Sequence, residues 1–315
     1  MYRIENLEYN KRVTVHAPGT VANLVCGFDI LGLCLHEPHD VMHVTLLDEP
    51  KVVIESLDGY PLPADPQLNT AGAPLLEMIH EVDATVGFHV SIQKNIKPGS
   101  GVGSSAASAA GAVVAANHLL GNIFSPTDLV RFAMAGEKVA SGVKHADNVA
   151  PCIIGGVTLI RSIFPLDIVS IPSPELFVTV VHPQIEIRTA DARQILRKEV
   201  LLKDAIKQWG NIAGLVAGFM QNDLSLIGRS LEDVIIEPVR SILIPGFSDV
   251  KQQCKEAGAL GGGISGSGPS IFMLSKDEPT ATAVEQVMKD VYNKLGIPYH
   301  TYVTTINQQG VTKAS

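Results

Sequence analysis

The chain lacks most of what would mark an extracellular, membrane or nucleic-acid-binding protein. Its four cysteines, Cys26, Cys34, Cys152 and Cys254, are scattered with no C-x-x-C pair. That spacing favours buried free thiols in a reducing cytoplasm over a disulfide framework or a zinc site. Apolar runs are short and broken by Gly, Pro or charge, and none approaches the ~20 residues of a membrane span. The start, Met1-Tyr2-Arg3-Ile4-Glu5, carries acid early and has no apolar core, so no secretory signal is expected. Acids outnumber bases by 32 to 24, the resulting charge of −8 is evenly spread, and aromatics are only 5%. No basic face for nucleic acid follows from such a balance, so an anionic ligand must be met by a local site. No glycine precedes a lysine, so a Gly-Lys-Ser/Thr phosphate loop is also absent.

What the chain has is core material and glycine loops. With 315 residues and 46% hydrophobic content it can build two lobes. The mixed pattern of alternating and helical segments predicts an α+β class. The proline-rich stretch 165–174 is the expected boundary, dividing a first lobe at 1–166 from a second at 167–315.

The most informative stretch is Lys97-Pro98-Gly99-Ser100-Gly101-Val102-Gly103-Ser104-Ser105-Ala106-Ala107. It follows an expected strand at 88–92 and leads into an alanine-rich helix ending near residue 119. Alternate glycines let the backbone turn sharply and approach a ligand, and the unpaired N–H groups at a helix start suit a polyphosphate. Ser104 and Ser105 add hydroxyls able to cap the helix, touch a phosphate or touch a metal.

Before it, residues 11–16 read as a strand leading into a Pro- and Gly-rich loop that holds Asn23 and Asp29 among apolar residues. Buried amides and carboxylates need partners, so this loop either ties itself down or lines a polar cavity. Strands are expected over 41–53 and a helix over 70–82. Ser125-Pro126-Thr127-Asp128 reads as a capping box opening a helix that carries Glu137. Taken locally, Glu137 reads as a solvated charge and the following His145-Ala146-Asp147-Asn148 as a hydrogen-bonded turn. Residues 153–163 read as one or two strands, and 176–181 as another.

In the second half, helices are expected at 200–220, at 223–235, up to 256 and at 279–295, with strands at 270–274 and 299–304. Thr189 is a candidate cap for a helix carrying Arg193. Gly261, Gly263 and Gly266 satisfy G-x-G-x-x-G, but a helix precedes them and a strand follows, the reverse of a dinucleotide site. They read as a flexible loop bringing backbone near a partner.

Three loops of this kind in this order resemble the GHMP kinase superfamily, over nearly the whole chain. Within it the chain is most similar to the branch that acts on L-homoserine. The residues carrying that likeness are Asn23-Leu24 with Gly27-Phe28-Asp29 and Gly32, His145 to Pro151, and Glu237-Pro238-x-Arg240-x-x-Leu243-Ile244-Pro245-Gly246-Phe247. The resemblance implies a two-lobed fold, with a ribosomal S5 domain 2-like N-terminal lobe and a ferredoxin-like C-terminal lobe. It implies phosphate transfer from ATP, with Mg²⁺, to the hydroxyl of L-homoserine, the step before threonine synthase, and a homodimer.

By the same resemblance, residues 97–107 wrap ATP. Asn23, Asp29, His145, Arg193 and Arg240 hold the amino acid, and Ser104 and Glu137 ligate Mg²⁺. An acid for an ammonium, a guanidinium fork for a carboxylate and oxygen donors for Mg²⁺ fit that chemistry. Mevalonate-type relatives place an aspartate near the attacking hydroxyl. Here Asn148 takes that place, which implies direct in-line transfer without a strong base; an alignment shifted by one would make Asp147 the base. Val21 and Cys26 depart from the usual first loop, and Cys26 reads as a packed thiol, not a nucleophile. Shikimate- or mevalonate-type kinases and an RNA-contacting module are the rival readings.

Overall fold

The computed structural model describes residues 2, 4, 7–187 and 189–314. The helix after the glycine stretch forms at Ser104–Leu119 and is buried on every side, with 14 of its 16 residues enclosed. A helix apolar all round belongs in a core. Its small residues allow close packing: a Cβ on Gly111 would stand 2.9 Å from Ala17 Cβ.

Around it the first half supplies β1 (Arg12–Ala22), β2 (Leu31–Leu47), β3 (Val52–Gly59), α1 (Gly72–Glu81) and β4 (Gly87–Lys94). The central helix is α2, followed by α3 (Pro126–Ser141), α4 (Val149–Ile154), β5 (Val157–Ile163) and β6 (Leu166–Ile171). The second half contains β7 (Phe177–Pro183), α5 (Thr189–Gln194), α6 (Leu202–Gln221), α7 (Leu224–Ser230), α8 (Glu237–Arg240) and α9 (Phe247–Glu256). It ends with β8 (Gly261–Ile264), β9 (Ile271–Ser275), α10 (Glu278–Leu295), β10 (Tyr299–Thr305) and β11 (Thr312–Lys313).

Among the described residues the strands form two sheets. The first has seven strands, in the order β11-β1-β2-β4-β3, with β5 and β6 continuing from the other end of β2. Val13 faces Val44, and Val44 faces Val90, in antiparallel register, while β3 joins β4 in parallel through the α1 crossover. The second sheet is antiparallel, in the order β10-β7-β9-β8. Its period-two pattern separates two faces. Val178, Val180, Phe272 and Leu274 join the core of the first half, while Val181, Ile271 and Met273 pack with residues of α9 and α10. The two sheets therefore share one continuous core.

Several expectations are met closely, including β4, α1, α2, α10 and the Ser125 capping box. There the Asp128 N–H donates to Ser125 Oγ (3.2 Å) and the Ser125 N–H to Asp128 Oδ2 (3.1 Å). Three are corrected. The boundary at 166 falls inside a hairpin, because β6 pairs with β5 in the first sheet, and β11 returns to β1 at the chain's end. Pro165 shapes that turn, while Pro172 and Pro174 lie in the irregular stretch 172–176 where the chain crosses from the first sheet to the second, inside the expected 165–174. Ile153 and Ile154, expected to open a strand, instead end the helix α4. Its last turn closes on Gly155, whose φ of 84° suits glycine. The helix expected at 223–235 stops at Ser230, and Asp233 takes over as the acceptor for the N–H groups of Ile235, Ile236 and Glu237 (2.8–3.0 Å). Thr189's side chain lies outside what is described.

One buried charge pair locks the loop before α2. Lys94, at the end of β4, is 2% exposed, and its ammonium reaches the fully buried Asp40 carboxylate. It also donates to Ser104 O (2.7 Å) and Ser108 Oγ (3.0 Å). Asp40 Oδ1 in turn accepts the N–H groups of Asn95 and Ile96, each at 2.8 Å. Burial lowers the Lys94 pKa and Asp40 pulls it back up. We expect Lys94→Met to lose about 3–5 kcal/mol of stability, the cost of leaving a buried charge unpaired, as read by urea denaturation. A loss below about 1 kcal/mol would show that the pair does not hold this region.

Candidate active site

The loop at 97–107 runs from β4 to α2 and forms one wall of a cleft of about 990 Å³ between the lobes. Lys97, Pro98, Gly99, Gly101, Gly103, Ser104 and Ser105 face that cleft. Ser100, Val102, Ala106 and Ala107 are buried in the protein and hold the loop from behind. Gly103 stands at the N-cap of α2 with φ of 68°, and no side chain caps the helix. A Cβ there would lie 2.0 Å from Thr20 Oγ1. The first-turn N–H groups therefore open toward the cleft with a positive dipole end behind them, an arrangement that suits an anion.

The second glycine segment supports this loop from the other lobe. Ser265 Oγ donates to Gly101 O (2.7 Å), and the Ser270 N–H to Ser100 O (3.2 Å). The expectation of a flexible loop is corrected in part. Residues 261–264 are the buried strand β8, whose Gly262 leaves no room for a Cβ against Phe272 O, and only the turn at 265–270 is free of regular structure. Lys97 Nζ donates to Gln184 Oε1 (2.9 Å), and Gln184 Nε2 donates to His182 Nδ1 (3.1 Å). Burial and the nearby Lys97 lower the His182 pKa to about 4, so its neutral ring accepts that bond.

The first loop answers its open question both ways. Asn23 ties it down, donating from Nδ2 to Gly266 O (2.8 Å) and accepting the Asp29 N–H at Oδ1 (3.0 Å). Asp29 faces the cleft, and its two oxygens receive Arg193 Nη1 and Nη2, both at 2.9 Å. Arg240 is buried, donating from Nε to Ala192 O and from Nη1 to Gly266 O, each at 3.1 Å, and lying over the Phe28 ring. Asn23, Leu24, Val25 and Asp29 all have positive φ, a backbone cost carried where the cleft needs its shape. Val21 and Cys26 are packed in the core, and burial pushes the Cys26 thiol up to about 12.

Glu137 is not the solvated charge that its helix position suggested. It is 2% exposed, and its Oε2 lies 3.2 Å from His145 Nε2. His145 Nδ1 lies 2.9 Å from Asp147 Oδ1, so the imidazole bridges two carboxylates. Desolvation opposes its charge, yet Asp147, Glu137 and Asp29 together raise its pKa to about 9. Burial pushes the Glu137 carboxyl up, against the pull of His145. Asn148 Oδ1 accepts a bond from Thr20 Oγ1 at 2.8 Å. The cleft thus brings together every expected substrate, metal and catalytic residue. Lys94 and Phe28 line it too, and Asp40 and Thr20 lie buried behind, bonded to Lys94 and Asn148, through contacts far apart in sequence.

Among the described residues no three His, Cys, Asp or Glu side chains cluster as a metal cage. The donor set still fits a hard cation that shares phosphate oxygens. Glu137 Oε1 is buried with no partner among the described residues. Ser104 Oγ gives its hydrogen to Ile96 O (2.8 Å), leaving its lone pairs available.

His145 makes stability pH-dependent. Its folded pKa of about 9 lies above the ordinary 6.5, so its contribution is whole below pH 6.5 and is lost as pH rises through 9. The groups facing it are Asp147 on its own loop, Glu137 and Ser141 from α3, and Asp29 from the first loop. We expect a loss on the order of 3 kcal/mol across that window in urea titrations, absent in His145→Gln. A flat wild-type profile would remove the imidazolium from this account.

Comparison with known proteins agrees with this geometry. The GHMP kinases N terminal domain matches residues 70–156, and the GHMP kinases C terminal domain matches residues 215–294. The homoserine kinase of Chloroherpeton thalassium is 46% identical, over 90% of this chain and 93% of its own length. That of Chlorobaculum tepidum is 44% identical, over 95% of this chain and 97% of its own. The crystal structure of homoserine kinase from Cytophaga hutchinsonii superposes with a TM-score of 0.92 at 47% identity, covering 98% of this chain and 100% of that one. The L. major mevalonate kinase complex with R-mevalonate, at 16% identity and a TM-score of 0.72, shares the fold.

Proposed function

The chain belongs to the GHMP kinases, and from that premise we propose that it transfers the γ-phosphoryl group of ATP to the side-chain hydroxyl of L-homoserine. The observation that carries this reading is the meeting, in one cleft, of the uncapped start of α2 with Asp29, Arg193 and Arg240. The helix start suits a polyphosphate. An acid and two guanidiniums suit the ammonium and carboxylate of a free amino acid. Shikimate would need only the carboxylate clamp, and mevalonate has no use for Asp29. We assign the reaction, through its product O-phospho-L-homoserine, to threonine biosynthesis; the scattered, buried free cysteines fit a reducing cytoplasm.

In this reading residues 97–107 carry the nucleotide phosphates, while Asn23 holds the first loop against Gly266. His145 keeps its charge between Glu137 and Asp147 and lines the substrate's end of the cleft. Ser104 and Glu137 would hold Mg²⁺, which when bound neutralises phosphate charge. The homoserine oxygen attacks the γ-phosphorus in line, the bond to the β–γ bridging oxygen breaks, and ADP leaves. Asn148 gives its carbonyl to Thr20, so its NH₂ is a donor that can orient the hydroxyl oxygen and cannot take its proton. Asp147 is occupied by His145. The proton therefore passes to the transferred phosphoryl group.

A homodimer belongs to the same proposal. Leu202, Ile206, Trp209 and Met220 lie exposed along one stripe of α6, joined at its start by Leu201. A second copy presenting the same stripe across a two-fold axis would cover it, toward the ~800 Å² per partner of a standard interface. Trp209→Glu should elute at the 33.5 kDa of one chain, ahead of no slower species, while the wild type elutes at twice that mass. A monomeric wild type would discard the dimer.

The function is tested by ADP release with MgATP against L-homoserine, D-homoserine, L-serine, shikimate and mevalonate. Turnover confined to L-homoserine is expected; turnover of shikimate or mevalonate instead would overturn the substrate. Asp147→Asn should keep kcat within about tenfold of wild type, short of the ~10²–10⁴ that losing a general base removes. A drop of several powers of ten would make Asp147 the base.

A further inference from the structure

The groups that an amino acid would need are bonded to one another. Asp29 sits in the fork of Arg193 with both terminal nitrogens at 2.9 Å. The carboxylates of Glu137 and Asp147 are held by His145. Arg240 is anchored by two backbone carbonyls and by Phe28, which fixes it in place as a stationary cation. Arg193 differs. It lies on the six-residue α5, its side chain is 29% exposed, and its Nε is buried with no partner among the described residues. The two-pronged pairing in the substrate end of the cleft is thus a partly exposed contact between the first loop and α5 that a ligand can replace.

We propose that the Asp29–Arg193 pair is an internal stand-in for the substrate, opened by exchange, and that it selects ligands carrying both an ammonium and a carboxylate. This rests on the amino-acid reading of the cleft. A zwitterion gives Asp29 a new cation and Arg193 a new anion, so both charges remain paired when their mutual bond breaks. A ligand with one charge must break the same pair and leaves one member without a partner in a partly desolvated site, a cost that two-charged ligands avoid. Arg240, already bound to backbone, adds its remaining donors to the carboxylate without giving up a charged partner.

The exchange has a consequence that simple contact does not share. Removing Asp29's charge weakens homoserine, which loses its ammonium partner, but strengthens a ligand that has only a carboxylate, because Arg193 is then free beforehand. Asp29 has φ of 61°, a conformation asparagine adopts readily, so Asp29→Asn keeps the loop's backbone. Arg193→Gln should give the mirror result with a ligand that has only an ammonium.

The experiment measures dissociation constants by calorimetry in the presence of MgATP's non-hydrolysable imido analogue. The ligands are L-homoserine, 4-hydroxybutanoate (no ammonium) and 3-aminopropan-1-ol (no carboxylate). Relative to wild type, Asp29→Asn should bind homoserine at least about tenfold more weakly and 4-hydroxybutanoate about five- to tenfold more tightly, the scale of one partly exposed charge pair. Arg193→Gln should bind 3-aminopropan-1-ol more tightly by a similar factor. Unchanged or weaker binding of the one-charge ligands in both variants would overturn the exchange. Glu186 also lines the cleft, and the Asp29→Asn pattern appearing in Glu186→Gln instead would overturn it as well. Failure of the wild type to turn over homoserine would strike the substrate assignment, which the binding pattern leaves separate.

Discussion

The cleft depends on one buried ion pair, Lys94 with Asp40. Taking both charges out of water is costly, and it is offset only because each remaining hydrogen-bonding position is filled. Asp40 takes two N–H groups from residues 95 and 96, and Lys94 takes the carbonyl of Ser104 and the hydroxyl of Ser108. A strand end, the start of a loop and the first turn of a helix are thereby held in one place. The glycine loop between them can be open toward a ligand because its two ends are not free to move apart.

The loop's other side leans on the second lobe, through Ser265 and Ser270. The glycine loop and the charged end of the cleft are consequently joined in one frame. Gly266 accepts bonds from both Asn23 and Arg240, so the turn that braces the phosphate loop also sets the positions of the first loop and of one guanidinium. The shared core across both sheets gives that frame its stiffness. The charges at the other end are then arranged in pairs, His145 between two acids and Asp29 in the Arg193 fork, which lets a low-dielectric cleft carry them.

Much of the fold was legible in local pattern. The Ser125 capping box, the alternation of β4, the glycine spacing before α2 and the period of α10 each depend on neighbours within a few residues. Where the pattern misled, tertiary contact had overridden it. Ile153 and Ile154 read as the start of a strand but close α4, which packs against α2. Gly261, Gly262 and Gly263 look like a loop but pair with β9 as a strand, and Gly262 is needed there because a Cβ would meet Phe272 O. Pro165 resembles the start of a linker but turns a hairpin, and the crossing between the sheets comes later, at 172–176 beside Pro172 and Pro174. Glu137 occupies a helix position that is ordinarily wet, and only the packing of α3 beside α2 encloses it.

The sequence by itself determined which chemical groups are available: a glycine loop opening a helix, paired arginines, an aspartate in an apolar loop, and the motifs that carry the superfamily resemblance. Those are properties of residue type and short spacing, and they survive without coordinates. Only the tertiary structure decided which charges meet. Asp29 and Arg193 are 164 positions apart and Lys94 and Asp40 are 54 apart, so neither pair has a local signature. Nor could spacing show that His145 would lie between two carboxylates and keep its proton to about pH 9. Pairing energies depend on distance and burial, and both are set by the packing of the two lobes.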